Sequence, residues 1–178
     1  MEKIEIREAT PEDVLGISTV LYKTWLATYP NEEYGVTIED IEYRYKDAFT
    51  DEKIKARQER MRSEAENLRS FVVECNGEIV GTIGVIKSPE QNELTRIYVL
   101  PEFQGKGIGK KLWEKAGEFL DFSKDTIVKV VTYNTGAIGF YERLGFVDTG
   151  KRFADENFKM QSGAKLPEME MILKAKSI

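Results

Sequence analysis

A strand-like run from Glu93 to Val99 closes at Leu100-Pro101. Shortly after it, Gln104-Gly105-Lys106-Gly107-Ile108-Gly109 leads straight into an amphipathic run reaching Leu120 or Phe122. Glycine admits positive φ and lets the backbone approach a ligand closely. The first N–H groups of the helix that follows have no intrahelical partner. Together with the helix dipole they make an anion site suited to phosphate. Lys106, Lys110 and Lys111 add positive charge there, in a chain of formal net charge −5. The spacing excludes two common phosphate loops. A Walker A loop needs four residues between its first glycine and a Gly-Lys-Ser/Thr, and the dinucleotide fingerprint is G-x-G-x-x-G, not Gly105-x-Gly107-x-Gly109. For the loop taken alone, a tight turn with a glycine N-cap remains the plain alternative.

The rest of the chain reads as alternating elements. Ile4 to Arg7 alternates with period two, as a strand does. Thr10-Pro11-Glu12-Asp13 carries an N-cap, a proline for the first turn and a capping-box acid. A helix with Val14, Ile17, Leu21, Trp25 and Leu26 on one side follows, to Tyr29-Pro30. Thr37-Ile38-Glu39-Asp40 opens a second capped helix. Charged helical sequence then runs to about Arg69, broken near Thr50-Asp51, and its stretch from Glu52 to Asn67 is too polar to be buried. Phe71 to Cys75, the turn Asn76-Gly77 and Glu78 to Val85 form a hairpin. Thr126 to Tyr133 is a buried strand, Asn134 to Leu144 a short helix stopped by Gly145, and Phe146 to Phe153 and Met169 to Leu173 are the last strands. The order predicts an α/β (α+β) fold: a mixed central sheet with helices on both faces. The 178 residues show no linker, so residues 1–178 are expected to be a single domain.

Composition removes several chemistries. The chain has no histidine, so a Ser-His-Asp triad is impossible, and most zinc and non-haem iron sites are too. No metal is expected. Proton transfer is left to Asp, Glu, Lys, Tyr, Cys or water. The acidic balance disfavours nucleic acid as a partner and suits a cationic substrate. Cys75 is the one cysteine. It allows no internal disulfide, fits a reducing compartment, and reads as a buried strand residue, not an acetyl carrier. No run of about 18 apolar residues exists for a membrane span. The start of the sequence lacks the apolar block of a signal peptide, so a cytoplasmic location is expected.

The segment Leu94 to Gly109, with Gln104-x-x-Gly107-x-Gly109, resembles the acetyl-CoA motif of the GNAT N-acetyltransferase superfamily. Asn134-Thr135-Gly136-Ala137-Ile138-Gly139-Phe140-Tyr141-Glu142-Arg143-Leu144-Gly145-Phe146 is similar to its second hallmark, Asn-x-x-Ala-x-x-Phe-Tyr-x-x-x-Gly-Phe. The resemblance implies a mostly antiparallel GNAT-like sheet of six to seven strands and acetyl-CoA as co-substrate. It implies that the backbone of Ile97, Tyr98 and Val99 pairs with the pantetheine arm like an added strand. It also implies that the N–H groups of Gln104, Gly105, Lys106, Gly107, Ile108, Gly109 and Lys110 cradle the pyrophosphate, with Asn134 and Tyr141 flanking the arm near the thioester. Many members pair as homodimers, so a homodimer is one arrangement the resemblance implies.

Amine acetylation needs a neutral amine and a proton for the departing thiolate. Tyr141 matches the family tyrosine that donates toward the coenzyme sulfur and is the candidate acid. Glu93, eleven positions before Gln104, has the offset of the catalytic glutamate in the histone-acetyltransferase branch and is the candidate base, with a water relay as its alternative. The ribosomal-protein branch carries a glutamate on the following strand, where this chain has Lys129. In the superfamily the acceptor lies between the first two helices and the last strands. Trp25 to Tyr34 spans that turn with aromatics and carboxylates suited to an ammonium. Tyr29, Glu33 and Tyr34 are the expected substrate contacts, and Trp25 is expected in the core. The long charged insert and the tail from Phe158-Lys159-Met160 to Glu170-Met171-Ile172-Leu173 resemble PaiA-type polyamine acetyltransferases. That implies spermidine or spermine as the acceptor, with a protein or peptide amine as the alternative. A non-catalytic acetyl-CoA-binding regulatory module is the reading from a different class.

Overall fold

The structure is a computed structural model that describes residues 4–63, 66–154 and 160–175. Seven strands form one sheet in the order β1 (Ile4–Glu8), β2 (Leu68–Cys75), β3 (Glu78–Lys87), β4 (Asn92–Val99), β5 (Thr126–Val131), β7 (Pro167–Leu173) and β6 (Val147–Ala154). Every neighbouring pair is antiparallel except β4 with β5. This is the expected mixed, mostly antiparallel sheet.

Helices α1 (Val14–Thr28), α2 (Ile38–Tyr45) and α3 (Asp51–Arg62) precede β2, α4 (Ile108–Gly117) joins β4 to β5, and α5 (Thr135–Arg143) follows β5. The start of α1 is fixed by Asp13. Its carboxylate accepts from the Thr10 N–H at 2.8 Å and takes both Arg7 guanidinium nitrogens at 2.7 and 2.8 Å. A further Arg7 bond reaches Glu74 on β2 at 2.9 Å, tying the first helix to the sheet edge. The Arg7 guanidinium also holds the Asp13 carboxyl below its ordinary value. Thr37 caps α2, with the Asp40 N–H donating to its hydroxyl at 3.2 Å. Asn76 (φ 51°) and Gly77 (φ 90°) make the two-residue β2–β3 turn, as the sequence requires.

Several boundaries differ from expectation, among them the end of α4, at Gly117 rather than Leu120 or Phe122. The charged helix ends at Arg62 rather than near Arg69, and β2 begins at Leu68 rather than Phe71. Pairing of Leu68 with Ile86 and of Ser70 with Gly84 extends the strand through residues whose polarity suggests a helix. No residue of α3 is buried; Arg57 ties it to α1 through the Ser18 hydroxyl at 2.7 Å.

The sheet divides the interior. Against one face, Ile108, Leu112 and Ala116 of α4 pack on Val73, Ile83, Val85 and Leu94. On the other, Trp25, Tyr29, Ile41, Val131 and Leu166 form a second cluster under α1 and α2. Cys75 is buried, as expected of a strand residue. Phe158 and Lys159, which carry part of the tail resemblance, lie outside the described residues. No helix among the described residues is long and apolar enough to cross a membrane.

Candidate active site

β4 and β5 pair over three positions only, Asn92 with Thr126, Glu93 with Ile127 and Leu94 with Val128. Beyond them the strands part. β4 stays on β3 as far as Val99, and β5 stays on β7 as far as Val131. Thr95 is an extra residue in the β4 ladder, since Gly84 faces Arg96 while Val85 faces Leu94. Its hydroxyl donates to the Gly84 carbonyl at 2.9 Å. Such a bulge bends a strand and sharpens its twist, and here it falls where the two strands separate. The result is a V-shaped cleft of about 900 Å³. The edge of β4 turned toward it offers main-chain groups to which an extended, amide-bearing molecule can add as a strand.

The open end of the V meets the glycine loop. Gly105 (φ 73°) and Gly107 (φ 78°) take conformations that L side chains rarely adopt, and a Cβ on either would meet nothing within 4 Å. The backbone conformation, not crowding, demands glycine at both positions. Gly107 is the N-cap of α4 and supplies no side-chain bond to the first turn, so those N–H groups keep their capacity for an anion. Gly109 is different: a Cβ there would lie 3.2 Å from the Phe140 ring, so its role is close approach of α4 to α5. These features fit a pyrophosphate at the loop and a pantetheine arm along β4.

Most of the expected site residues come together. Glu93, Ile97, Tyr98, Val99, Gln104, Gly105, Gly107, Ile108, Gly109, Lys110, Asn134, Tyr141 and Tyr29 all line the cleft. Three do not. The Lys106 ammonium lies over the Phe103 ring, 4.9 Å from its centroid. Glu33 and Tyr34 sit on the turn closed by the Asn31–Val36 bridge, outside the cleft lining. Glu33 is exposed, and Tyr34 stacks on Tyr133 at 4.9 Å. The Gln104 side chain also has a local role, donating to the Val99 carbonyl at 2.8 Å and so fixing the end of β4. Asn134 caps α5 by accepting from the Ala137 N–H at 3.1 Å.

Trp25, expected only as core, borders the cleft as well. Its indole N–H donates to the Tyr98 hydroxyl at 3.2 Å, and the Tyr29 and Tyr98 hydroxyls share a bond of 3.2 Å. Burial pushes the phenols of Tyr29, Tyr98 and Tyr141 up from their ordinary value. All three therefore stay protonated at neutral pH and act as donors, not bases. The Tyr133 phenol, held at 2.8 Å on the Tyr29 carbonyl, is pushed up to about 12, chiefly by burial. The carboxylates lining the cleft are Glu93 and Glu168. Glu168 escapes the sequence reading because its strand starts at Pro167, two residues before the predicted Met169. The alternation Glu168-Met169-Glu170-Met171 was the available signal.

The family model for the acetyltransferase (GNAT) domain matches residues 25–166. The chain belongs to this family. As a GNAT chain it is 41% identical, over 85 residues, to an uncharacterized N-acetyltransferase of Methanocaldococcus jannaschii; the match covers 43% of this chain and 38% of that protein. It thus spans well under half the length of that curated relative. Among solved structures, the PaiA N-acetyltransferase of Thermoplasma acidophilum in complex with coenzyme A superposes with a TM-score of 0.68 at 23% identity, over 97% of this chain and 99% of that one. The ribosomal-protein-S18-alanine N-acetyltransferase of Escherichia coli gives 0.66 at 16% identity, over 99% and 96%. These structural likenesses show the GNAT fold. Among the described residues, no three metal-ligating side chains gather in one place.

Proposed function

We propose that residues 1–178 act as one N-acetyltransferase domain that moves the acetyl group of acetyl-CoA onto a primary amine by direct attack. The observation that carries the reading is the V between β4 and β5 opening onto the α4 N-terminus at Gly107. One side of the cleft suits an extended amide arm and its diphosphate. The other suits a cation.

Acetyl-CoA supplies an activated acyl carbon and a thiolate leaving group. The backbone of Ile97, Tyr98 and Val99 holds the pantetheine arm, and the N–H groups from Gly105 to Lys110 hold the pyrophosphate. Lys110 adds charge at that end, while it also pairs with Glu114 at 3.7 Å. Glu93, at the closed end of the V, takes the proton from the acceptor ammonium, directly or through water. The neutral nitrogen bonds to the acyl carbon as the carbon–sulfur bond breaks. Tyr141, packed against Phe140 and Phe146 and held protonated by burial, gives its proton to the departing sulfur and is restored by the second proton that the acylated nitrogen sheds as the neutral amide forms. Tyr29 and Trp25 border the acceptor. The acidic balance of the chain favours a small polyamine such as spermidine or spermine over an anionic acceptor.

The test is release of free thiol from acetyl-CoA with spermidine, spermine, simple monoamines and an alanine-initiated peptide, alongside calorimetry with coenzyme A. Turnover with a polyamine is expected. Turnover with the peptide alone would move the acceptor to a protein amine. Coenzyme A binding without thiol release would leave a binding module, and no coenzyme A binding would remove the proposal altogether.

A further inference from the structure

Trp25 on α1, Tyr29 at the C-terminal end of that helix and Tyr98 on β4 border the cleft together. An indole N–H can only donate, so the Tyr98 hydroxyl oxygen accepts from Trp25 at 3.2 Å. The same oxygen shares a bond of 3.2 Å with the Tyr29 hydroxyl. Two phenols carry two hydroxyl hydrogens, and the bond between them uses one. The other is left for a third group. Tyr29 is buried and Tyr98 half-buried, so Tyr29 is the harder of the two to ionise. The shared bond accordingly holds the Tyr29 proton in place and favours loss of the one on Tyr98. The Asn134 amide also acts on the Tyr29 oxygen as a donor. Tyr29 therefore donates to Tyr98. The Tyr98 oxygen then accepts from two donors, which polarises its own O–H. A charge on Tyr98 would disfavour ionisation of Tyr141, so these two phenols lie near each other. Burial keeps the Tyr98 phenol neutral, while Arg44 and Arg96 bring positive charge to bear on it. The group is thus a donor in surroundings that favour negative charge beside it.

We propose that the Tyr98 hydroxyl is a catalytic hydrogen-bond donor to the acyl oxygen of acetyl-CoA, with Trp25 and Tyr29 as its positioning residues. The proposal rests on the acetyltransferase reading above and adds a residue to that site. Tyr141 serves the departing sulfur there, and the acyl oxygen is bonded to the carbon that carries this sulfur. Negative charge gathers on the oxygen as the amine nitrogen bonds to the acyl carbon. It leaves the oxygen as the carbon–sulfur bond breaks. Tyr98 keeps its proton throughout. A donor already aimed by an indole and a second phenol needs no reorganisation when that charge develops.

Tyr98→Phe keeps the ring and removes the hydroxyl. Coenzyme A has no acyl oxygen, so its Kd by calorimetry is expected to stay within about twofold of wild type. Infrared difference spectra of bound acetyl-CoA, isotope-labelled at its carbonyl carbon, test the contact itself. A hydrogen bond weakens the C=O bond, so the stretch is expected at lower frequency in wild type than in Tyr98→Phe. Tyr29→Phe keeps the Tyr98 O–H and is expected to move the stretch less. With any amine that turns over, kcat of Tyr98→Phe should fall by about 10²-fold, with the KM for acetyl-CoA and the shape of the pH profile retained. A stretch at the same frequency in wild type and Tyr98→Phe overturns the proposal, and so does a larger shift from Tyr29→Phe than from Tyr98→Phe. Should Tyr98→Phe lose its fold, fluorotyrosine in place of Tyr98 keeps the shape and makes a stronger donor. The stretch should then fall below that of wild type, and an unmoved stretch overturns the proposal. The spectra need no acceptor, so failure of thiol release with every amine removes the enzyme reading and leaves the Tyr98 contact decided. Failure of wild-type protein to bind coenzyme A ends the underlying reading, whereas bound acetyl-CoA with an unmoved stretch ends this proposal alone.

Discussion

The indole N–H of Trp25 on α1 donates to the hydroxyl of Tyr98 on β4 at 3.2 Å. The bond joins a helix that borders the cleft to the strand proposed to carry the acetyl-CoA arm. Tyr29, one turn further along, reaches the same oxygen at 3.2 Å. Indole can only donate, so the orientation of Tyr98 is set in part from the acceptor side of the cleft.

Trp25→Phe keeps an aromatic ring and deletes this donor. The variant is expected to lose about 1–2 kcal/mol of stability, from one part-buried hydrogen bond and the smaller ring. Its KM for the amine should rise more than its KM for acetyl-CoA, because the backbone of β4 keeps its pairing with β3. Denaturant unfolding and steady-state kinetics measure the two effects.

Gly107→Ala tests the loop through conformation alone. No heavy atom would crowd the new methyl group, yet φ is 78°. A non-glycine residue in the left-handed region costs about 1 kcal/mol. The larger effect is expected in coenzyme A affinity, because relaxing this φ turns the first N–H groups of α4 away from their common focus. Calorimetry should show weakening of about tenfold or more. An affinity equal to wild type would mean the diphosphate is held elsewhere.

The loop and the α5 motif were legible because glycine spacing and N-cap chemistry act through the local backbone. The hairpin at Asn76-Gly77 was legible for the same reason. Trp25 and Glu168 were not. Trp25 sits at helical spacing with Val14, Ile17 and Leu21, so periodicity alone marks it as core; its bond to Tyr98 spans 73 residues of sequence. Glu168 becomes a cleft residue only through its pairing with Val131 across the sheet. Glu33 and Tyr34 are the opposite case, lying outside the cleft lining. They have suitable side chains at a suitable place in the chain, but the Asn31–Val36 bridge turns that segment outside the cleft.

Alkaline pH is expected to destabilise the fold before it stops the chemistry. Tyr29, Tyr98 and Tyr141 have phenols raised by burial. Above about pH 10 the unfolded chain releases protons that the folded chain retains, so stability falls as pH rises. The slope is up to about 1.4 kcal/mol per pH unit for each tyrosine that stays protonated in the fold. Below pH 10 the three groups make no pH-dependent contribution. Denaturant midpoints from pH 8 to 11 test this. Tyr141→Phe should reduce the alkaline slope while lowering kcat by about 10²-fold.

Ser162 is expected to set the acceptor wall from outside the cleft. Its hydroxyl donates to the buried Asp40 carboxylate at 2.7 Å and its N–H reaches the same group at 2.7 Å, fastening the β6–β7 connection to the start of α2. Four residues on, buried Leu166 lines the cleft beside Glu168. Ser162→Ala removes the hydroxyl bond to Asp40 and the one the hydroxyl accepts from the Ala164 N–H at 3.2 Å, and leaves the main-chain bond, so the wall loosens without losing its path. A charged acceptor makes this bond worth about 2 kcal/mol. If this wall serves the proposed acceptor and not the coenzyme, the KM for amine should rise several-fold while coenzyme A affinity is retained. Asp40 is held below its ordinary value: burial opposes this, and the bonds from Ser162 and Thr37 together overcome it. Its contribution is therefore present above the normal carboxylate range and is lost as pH falls through the lower folded value. The stability difference between wild type and Ser162→Ala should narrow on acidification, which denaturant midpoints at pH 7 and at about pH 3 would reveal.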